Sequence, residues 1–205
     1  MAVRDRILGA AVELFAEKGF DATSVQEIVE RAQVTKGALY HYFAAKDDLL
    51  YEIYHELISR QLADQERILA AGMSPPETIR ALIVDLVWTT TARLAPTAVF
   101  AREMHKLAAG PMKALRAMRR SYHEAFRAVI EDGQRDGVFA TTASAETVTL
   151  LVFGVINQLP QWYRPRGRQS PRELADEITD FVLAGLGAVA AAQGVYQSPP
   201  SPMRR

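Results

Sequence analysis

The sequence predicts an all-α protein. Apolar residues recur at helical spacing along most of the 205-residue chain, and no segment alternates with a period of two for long enough to predict a sheet. Serine or threonine caps and glycine stops divide this pattern into segments of helical length. The chain has no cysteine, which excludes a disulfide framework and a cysteine-based zinc site.

The composition is that of a globular protein, with 49% hydrophobic and 23% charged residues. The net charge is zero, so composition alone gives no indication of a nucleic-acid partner. The apolar N-terminal stretch contains Asp5 and Glu13, which is unlike a signal peptide. The longest apolar run, at 181–192, is too short to span a bilayer. We therefore expect a cytoplasmic protein without a membrane segment.

Three short helices are predicted near the N-terminus. Residues 3–18 carry apolar side chains at helical spacing, and Gly19 ends that helix. Ser24 and Glu27 form a capping box that opens the second helix. Thr35 caps a third helix, which is too short to be stable alone, since isolated helices below about 12–15 residues are marginal in water. Three such helices, with a short turn before the third, have the layout of a helix-turn-helix.

The third helix lies within VTKGALYHYFAAK, at residues 34–46, and has two chemically different sides. We assign three residues to the apolar side: Leu39, Tyr42 and Phe43. The opposite side carries four others: Lys36, Gly37, Tyr40 and His41. This side suits DNA, because Lys36 supplies a cation and Gly37 permits close approach of a phosphate. From periodicity alone, an ordinary three-helix subdomain explains the same pattern.

Residues 7–50 resemble the N-terminal domain of the TetR family of bacterial transcription repressors. The matching residues, at the family's internal spacing, are Ala11 to Phe15, Gly19, Phe20, Thr23 to Ile28, Ala32, Val34 to Gly37, Tyr40 to Phe43, Lys46 and Leu49. The resemblance implies a repressor that binds double-stranded operator DNA as a dimer. We predict the DNA-binding residues to be Ser24, Thr35, Lys36, Gly37, Tyr40, His41, Tyr42 and Lys46.

Two features depart from the family pattern. Ala45 precedes the fourth helix where the family usually has a capping Ser or Asn, and we expect the aspartates at 47–48 to compensate through the helix dipole. Residues 1–50 hold six Lys or Arg and eight Asp or Glu, a net charge of −2, and the N-terminal basic arm is limited to Arg4 and Arg6. We therefore expect modest and strongly salt-sensitive non-specific DNA affinity.

The rest of the chain is predicted to be helical. The segments are 46–70, 77–93, a short helix from Pro96 to near Gly110 and Pro111, 112–132 closed by Gly133 and Gly137, 144–163, and 171–193. We place the DNA-binding domain at 1–45, an effector-binding and dimerisation domain at 46–194, and a disordered tail at 195–205.

The last two predicted helices are candidates for the contact between subunits. Residues 148–156 are apolar on every side, so we expect them to be buried all round. The last helix carries small residues that permit close helix packing: Ala184, Gly185, Gly187, Ala188 and Ala190 to Ala192. A monomer could bury both helices against its own core. The family resemblance implies instead a homodimer in which these helices form a four-helix bundle, placing two recognition helices about 34–36 Å apart, or a multiple, on a palindromic site.

The helices at 77–132 are predicted to surround a pocket for a small-molecule effector. Candidate lining residues are Trp88, Phe100, Met104, Tyr122, Phe126, Phe153, Asn157 and Trp162. Core packing is the competing explanation for each, above all for Phe126 and Phe153. Asn157 follows an apolar stretch and would need a buried partner. Arg119 either extends to solvent along its stem or meets an anion.

Residues 157–176 resemble a segment of TetR-type repressors of fatty-acid and steroid breakdown, which release DNA on binding acyl-CoA thioesters. The shared residues are Asn157, Trp162 to Pro165, Gly167, Ser170 and Pro171, while Gln158 replaces the usual Trp. The resemblance implies an acyl-CoA effector. Its phosphates would meet loop arginines, namely Arg164, Arg166, Arg168 and Arg172. Two alternatives stay open: a different apolar, drug-like effector, and no small ligand at all. In either case these arginines are solvated surface residues.

The four histidines form no catalytic or metal-binding pattern. None belongs to an H-E-x-x-H motif, and Glu52 with His55 is a single Glu-x-x-His spacing, whereas the di-iron bundles need such a pair on each of two helices. The chain also lacks G-x-S-x-G and P-loop motifs. We therefore expect no enzyme activity, no metal and no cofactor. A purely structural helical adaptor would not need the polar side of the third helix.

Overall fold

The computed structural model describes residues 2–187, and this part of the chain is helical without any strand. The helices are α1 (Val3–Lys18), α2 (Val25–Ala32), α3 (Lys36–Tyr42), α4 (Lys46–Leu69), α5 (Pro75–Ala92), α6 (Leu94–Glu103), α7 (Ala109–Arg135), α8 (Ala145–Asn157), α9 (Leu159–Trp162) and α10 (Pro171–Gly185). The predicted all-α class is confirmed. None of the helices in the described range is long and apolar enough to cross a bilayer.

Helices α1 to α3 share a small core with the start of α4. Ile7, Ile28 and Leu39, one from each of the three helices, are fully buried in it. The capping box at the start of α2 is complete: the Glu27 amide donates to Ser24 Oγ at 3.2 Å, and the Ser24 amide donates to the Glu27 carboxylate at 2.9 Å. The predicted helix-turn-helix is therefore present.

The turn between α2 and α3 depends on a left-handed residue. Gln33 has φ 54°, which reverses the chain after α2, and Arg6 donates to its carbonyl at 3.1 Å. The amide of Val34 closes the end of α2 by donating to the Val29 carbonyl at 3.0 Å. Thr35 then caps α3 by accepting from the Ala38 amide at 3.1 Å. These contacts fix the direction in which α3 leaves the turn.

The start of α4 is capped by Asp48. Its carboxylate accepts a hydrogen bond of 2.9 Å from the amide of Ala45. This acidic side chain therefore compensates for the missing cap at Ala45 by a direct hydrogen bond as well as by its charge near the helix N-terminus.

A second core lies among the C-terminal helices, with α5 at its centre. Helix α5 packs against α4, α7 and α10, and buries Ile79, Leu82 and Ile83. Arg80 on its outer side pairs with Asp180 of α10 at 2.6 Å. The first core also reaches this part of the chain, because buried residues of α6 and α7 pack against α1 and α4.

Two predicted helix ends are wrong. Gly110 and Pro111 lie in the first turn of α7, where a missing proline N–H costs nothing. Gly133 lies inside α7, and its partner explains why a glycine is found there. The ring of Phe139 packs against it so closely that a Cβ at this position would be 2.3 Å from Phe139 Cδ2. Gly137, with φ 71°, follows the true end of the helix, as predicted.

The last two predicted helices are also shorter than expected. The segment 144–163 is interrupted after Asn157, and the short α9 carries a proline in its first turn. The segment 171–193 ends at Gly185, followed by Gly187 with φ 65°. Ala188, the alanines at 190–192 and the predicted tail at 195–205 lie outside the described residues.

Within the described residues of a single chain, helix α8 is buried on one side only, so this chain alone does not provide the predicted burial all round. Val152, Phe153 and Ile156 face the core, while Leu151 on the opposite side is 65% exposed. Helices α5, α7 and α9 pack against the buried side of α8. On α10, Phe181 is 82% exposed. A single chain therefore leaves apolar side chains of both helices in contact with solvent.

Candidate functional site

The outer side of α3 presents the polar residues that the sequence placed there. Lys36, Gly37, Tyr40 and His41 are all exposed. Tyr42 is 46% exposed, so its assignment to the apolar side is wrong. Its ring packs edge-on against His41 instead, with centroids 4.9 Å apart, because Leu39 and Phe43 already fill the core below α3.

Most cations of residues 1–50 are occupied by partners within the chain. The occupied ones are Arg4 (Glu52 and Glu56), Arg6 (Gln33 carbonyl), Lys18 (Glu27), Arg31 (Glu13 and Glu17) and Lys46 (Phe20 and Thr23 carbonyls). Lys36 has no carboxylate or carbonyl partner among the described residues and lies 6.0 Å from the ring centroid of Tyr40. It is therefore the cation most available to an external phosphate.

Lys46 has a structural task. Its ammonium donates to the carbonyls of Phe20 and Thr23, both at 2.8 Å, and lies 4.3 Å from the centroid of the Phe20 ring. The side chain thus fastens the turn between α1 and α2 to the start of α4. An ammonium has three donors, so a DNA contact from Lys46 would use the one left over. The hydroxyl of Ser24 is likewise engaged, in the capping box.

Gly37 is not required by the local packing. A Cβ at this position would meet only Thr35 Oγ1, at 3.9 Å, and its backbone is ordinary helix. Since glycine weakens a helix by about 1 kcal/mol relative to alanine, packing within the chain does not explain its presence. The absence of a side chain leaves the backbone of α3 accessible at this position.

A narrow cavity of about 30 Å³ lies between α4, α5, α7 and α8. Its lining residues are Ile58, Gln61, Leu86, Arg119, Tyr122, His123, Phe153 and Asn157. Four of the predicted ligand-binding residues are among them: Arg119, Tyr122, Phe153 and Asn157. The volume suits a water molecule and is far too small for an acyl chain, so a larger effector requires the cavity to open.

Phe153 fills the centre of this region. His123 stacks on its ring with a centroid distance of 4.0 Å, and the rings of Tyr122 and Phe126 meet it edge-on at 5.5 and 5.3 Å. Phe126 lies behind this cluster, fully buried, and does not line the cavity. The Phe153 ring therefore contacts three other rings, two of which, those of Tyr122 and His123, also line the cavity.

The cavity carries an unneutralised cation. Arg119 has no carboxylate or hydrogen-bond partner in the described residues, and its guanidinium carbon lies 5.1 Å from the centroid of the Phe100 ring. Burial lowers the pKa of Arg119. Burial, and then the charge of Arg119, lower the pKa of His123, so that His123 is neutral at physiological pH.

The other predicted ligand residues lie away from the cavity. Trp88 and Trp162 are 52% and 46% exposed, and Arg164 donates to the Gln161 carbonyl at 3.1 Å from an exposed loop. Phe100, Met104 and Arg166 also do not line it. Ligand contacts from these residues stay predictions.

Asn157 is exposed at the mouth of the cavity, so the expectation of a buried partner is wrong. Sequence reasoning missed four lining residues: Ile58, Gln61, Leu86 and His123. Helical spacing could have found His123, because it follows Arg119 by four positions and shares its side of α7.

A buried carboxylate joins α6 to the N-terminal helices. Glu103, 4% exposed, accepts from Arg102 Nε at 2.8 Å and pairs with Lys106 at 3.2 Å. Lys106 also pairs with Asp21, and Arg102 donates to the Phe15 carbonyl. Burial acts to raise the pKa of Glu103, but its hydrogen bonds outweigh this effect and the pKa is lowered. The end of α6 is thus fixed to the turn after α1.

Two regions of the chain match known protein families. Residues 7–53 match the bacterial regulatory proteins of the tetR family, and residues 72–186 match the tetracyclin repressor-like C-terminal domain. The HTH-type transcriptional repressor KstR2 of Rhodococcus jostii strain RHA1 is 27% identical over 186 residues, which are 90% of this chain and 91% of the relative.

Solved structures are similar over almost the whole fold. The TetR family transcriptional regulator PfmR from Thermus thermophilus is 30% identical, with a TM-score of 0.81 over 89% of this chain and 99% of that chain. AibR in complex with isovaleryl coenzyme A and operator DNA is 20% identical, with a TM-score of 0.78 over 92% and 100%, and shares the fold. The chain therefore belongs to the tetR family of bacterial regulatory proteins, whose members are DNA-binding regulators of transcription and not enzymes.

Proposed function

We propose that this protein is a repressor that binds a palindromic operator as a homodimer and leaves it when an acyl-CoA thioester binds. The observation that carries the DNA part is the exposed side of α3, where Lys36 has no partner within the described residues and Gly37 leaves the backbone accessible. Tyr40 and His41 add hydrogen-bonding groups on the same side.

With DNA binding assigned to α3, we place the DNA-binding domain at 1–45 and the effector-binding and dimerisation domain at 46–194. The homodimer is supported by the exposed apolar side chains of α8 and α10, namely Leu150, Leu151, Val155 and Phe181. Exposed apolar patches of this kind mark association surfaces. A two-fold dimer would present two copies of α3 to the two halves of a palindrome.

An acyl-CoA effector is supported by two observations. In the segment 157–176, the short helix α9 carries Trp162 and packs against α6, and several exposed arginines follow it. AibR, which has the same fold, binds isovaleryl coenzyme A, so this fold can accept a CoA thioester. The phosphates would meet the arginines and the acyl part would enter the opened cavity. The alternative is a different apolar, drug-like effector, which is favoured by the absence of Arg164 and Arg166 from the cavity lining.

The test begins with selection of duplexes from a random library by the wild-type protein, since its operator is unknown. We expect a palindromic site, which Lys36→Glu fails to bind and Lys113→Glu binds normally, because Lys113 is exposed and lies on α7, outside the proposed recognition helix. Decanoyl-CoA should release the selected duplex and decanoate should not. Selection of no duplex, or equal binding by the Lys36→Glu variant, would contradict the DNA assignment. Equal release by the ester and the acid would favour the alternative effector.

A further inference from the structure

Arg119 is the charged group of the cavity lining, and its surroundings do not neutralise it. It projects from α7 between the ring of Phe100 on one side and the cavity on the other. The other polar groups of the lining include the neutral side chains of Gln61, His123 and Asn157. The lining residues within 2–187 include no carboxylate, and burial is the influence that acts on the pKa of Arg119.

The guanidinium of Arg119 has unused hydrogen-bonding capacity. It presents five N–H donors without a partner among the described residues, and partial burial reduces its hydration. Arg127, two turns further along α7, shows the usual solution, because it pairs with Glu131 and Glu146 at 3.1 Å. Arg120, the neighbour of Arg119, is simply exposed. Arg119 is partly buried and has no such pair among the described residues.

We propose that Arg119 is the receptor for an anionic oxygen group of the effector, a carboxylate or a phosphate, held at the cavity. This inference rests on the proposed function, in which the cavity is the effector site. The planar guanidinium would hold two oxygens of the group in a bidentate pair. The amides of Gln61 and Asn157 supply further donors on the same lining.

A receptor role for Arg119 narrows the class of effector. The effector is an amphipathic anion, and at least some of its charged oxygens bind inside the protein at Arg119. They do not all stay at the exposed arginines of residues 164–172. Two sources of the anion satisfy this chemistry. One is a phosphate of the CoA moiety, and the other is a carboxylate, either of a free acid or on the acyl part.

The test compares three probes with the same ten-carbon chain on the full-length protein. Decanoyl-CoA carries phosphates, decanoate carries a carboxylate, and decanol carries neither. Calorimetric titration of wild type, Arg119→Gln and Arg120→Gln separates charge recognition from apolar burial. We expect Arg119→Gln to weaken at least one anionic probe by roughly tenfold or more and to leave decanol unchanged. Arg120→Gln should leave all three as in wild type, and the weakened probe identifies the source of the anion.

The outcomes distinguish this inference from the proposed function. If decanoyl-CoA binds wild type and Arg119→Gln equally and decanoate shows no loss, the acyl-CoA function stands and the receptor role of Arg119 is wrong. If decanoate alone binds, and does so through Arg119, the receptor role stands and the acyl-CoA effector is wrong. An equal loss for decanol also refutes the receptor role, and no binding of any probe to wild type refutes both. Arg119→Lys keeps the positive charge but not the planar guanidinium. It provides a second folded variant and should show an intermediate loss of affinity for the anionic probe.

Discussion

The hydroxyl of Tyr54, on α4, donates a hydrogen bond of 3.0 Å to the backbone carbonyl of Val99, on α6. The ring of Tyr54 also meets the neighbouring Phe100 edge-on at 4.7 Å, and the guanidinium carbon of Arg119 lies 5.1 Å from the centroid of that Phe100 ring. Besides the direct contact of Ile58 and Gln61 with the cavity, a second line of contacts therefore joins the cavity to α4. Only residues 43–45 separate α4 from the recognition helix α3. A shift of α4 on effector binding would move α3.

Tyr54→Phe should uncouple the effector from DNA. The substitution removes the hydrogen bond between α4 and α6 but keeps the ring, so operator affinity should stay close to wild type. Coupling between two sites is typically about 1–3 kcal/mol, and we expect the variant to lose a large part of it. The measurement is the affinity for decanoyl-CoA with and without operator, because linkage requires each ligand to weaken the other equally. Tyr51→Phe, a partly exposed change on the same helix, is the matched control. Equal coupling in wild type and Tyr54→Phe would exclude this route.

Gly37→Ala should raise the stability of the protein and lower its affinity for the operator. Alanine fits because its Cβ would meet only Thr35 Oγ1 at 3.9 Å, and it should raise stability by up to about 1 kcal/mol. The added methyl group would obstruct approach of a phosphate to α3, so operator affinity should fall, and Gly37→Leu should fall further. Gly9→Ala is the control, since Gly9 is exposed on α1 with nothing near its Cβ. Thermal unfolding and operator titration of the variants provide the comparison. Unchanged operator binding by Gly37→Leu would mean that α3 does not enter the groove.

Lys36→Met should change the salt dependence of operator binding, whereas Lys46→Met should lower stability. Lys36 has no partner within the described residues, so its loss should reduce the salt dependence of operator binding by about one released counterion per subunit, with little effect on stability. Lys46 holds the carbonyls of Phe20 and Thr23, so its loss should lower stability by about 1–3 kcal/mol. Operator titrations at several salt concentrations and denaturant unfolding measure the two effects. The reverse pattern would assign Lys46, and not Lys36, to the DNA phosphates.

The local rules that govern the N-terminal helices made them predictable from sequence. Caps at Ser24 and Thr35, and apolar spacing at Leu39, depend on residues within a few positions of one another. The cavity depends on which helices meet, which spacing does not reveal, so Ile58, Gln61 and Leu86 were missed. Gly133 was misread for the same reason: its partner, Phe139, lies beyond the end of the helix.

Phe181→Asp should shift the protein from dimer to monomer. Phe181 is 82% exposed in the single chain, and a buried carboxylate at a helix–helix interface is strongly unfavourable. Because two copies of α3 act together on a palindrome, operator affinity should fall with dimerisation. Sedimentation at several protein concentrations gives the dissociation constant. Leu69→Asp, which changes an exposed leucine of α4, is the control and should leave the dimer intact. A monomeric wild-type protein, or a dimeric Phe181→Asp variant, would disagree with the proposed interface.

Asp85→Asn should stabilise the protein at neutral pH and not at acid pH. One carboxylate oxygen of Asp85 is buried without a hydrogen-bond partner. Burial, aided by the charge of Asp64, raises the pKa of Asp85 from 3.8 to about 6. The folded state therefore binds more protons than the unfolded state between these two values, and the stability that Asp85 permits falls as pH rises through that window.

The penalty from ionised Asp85 should be fully present above about pH 6 and absent below about pH 4. We expect Asp85→Asn to gain on the order of 1–3 kcal/mol at pH 7.5, since one pKa unit corresponds to about 1.4 kcal/mol and partial exposure reduces the effect. Denaturant unfolding of wild type and variant at matched pH values isolates Asp85 from every other titrating group. Asp180→Asn provides a control on α10, because Asp180 is exposed and paired with Arg80. A gain that is the same at pH 4 and pH 7.5 would show that removing the charge is not its cause.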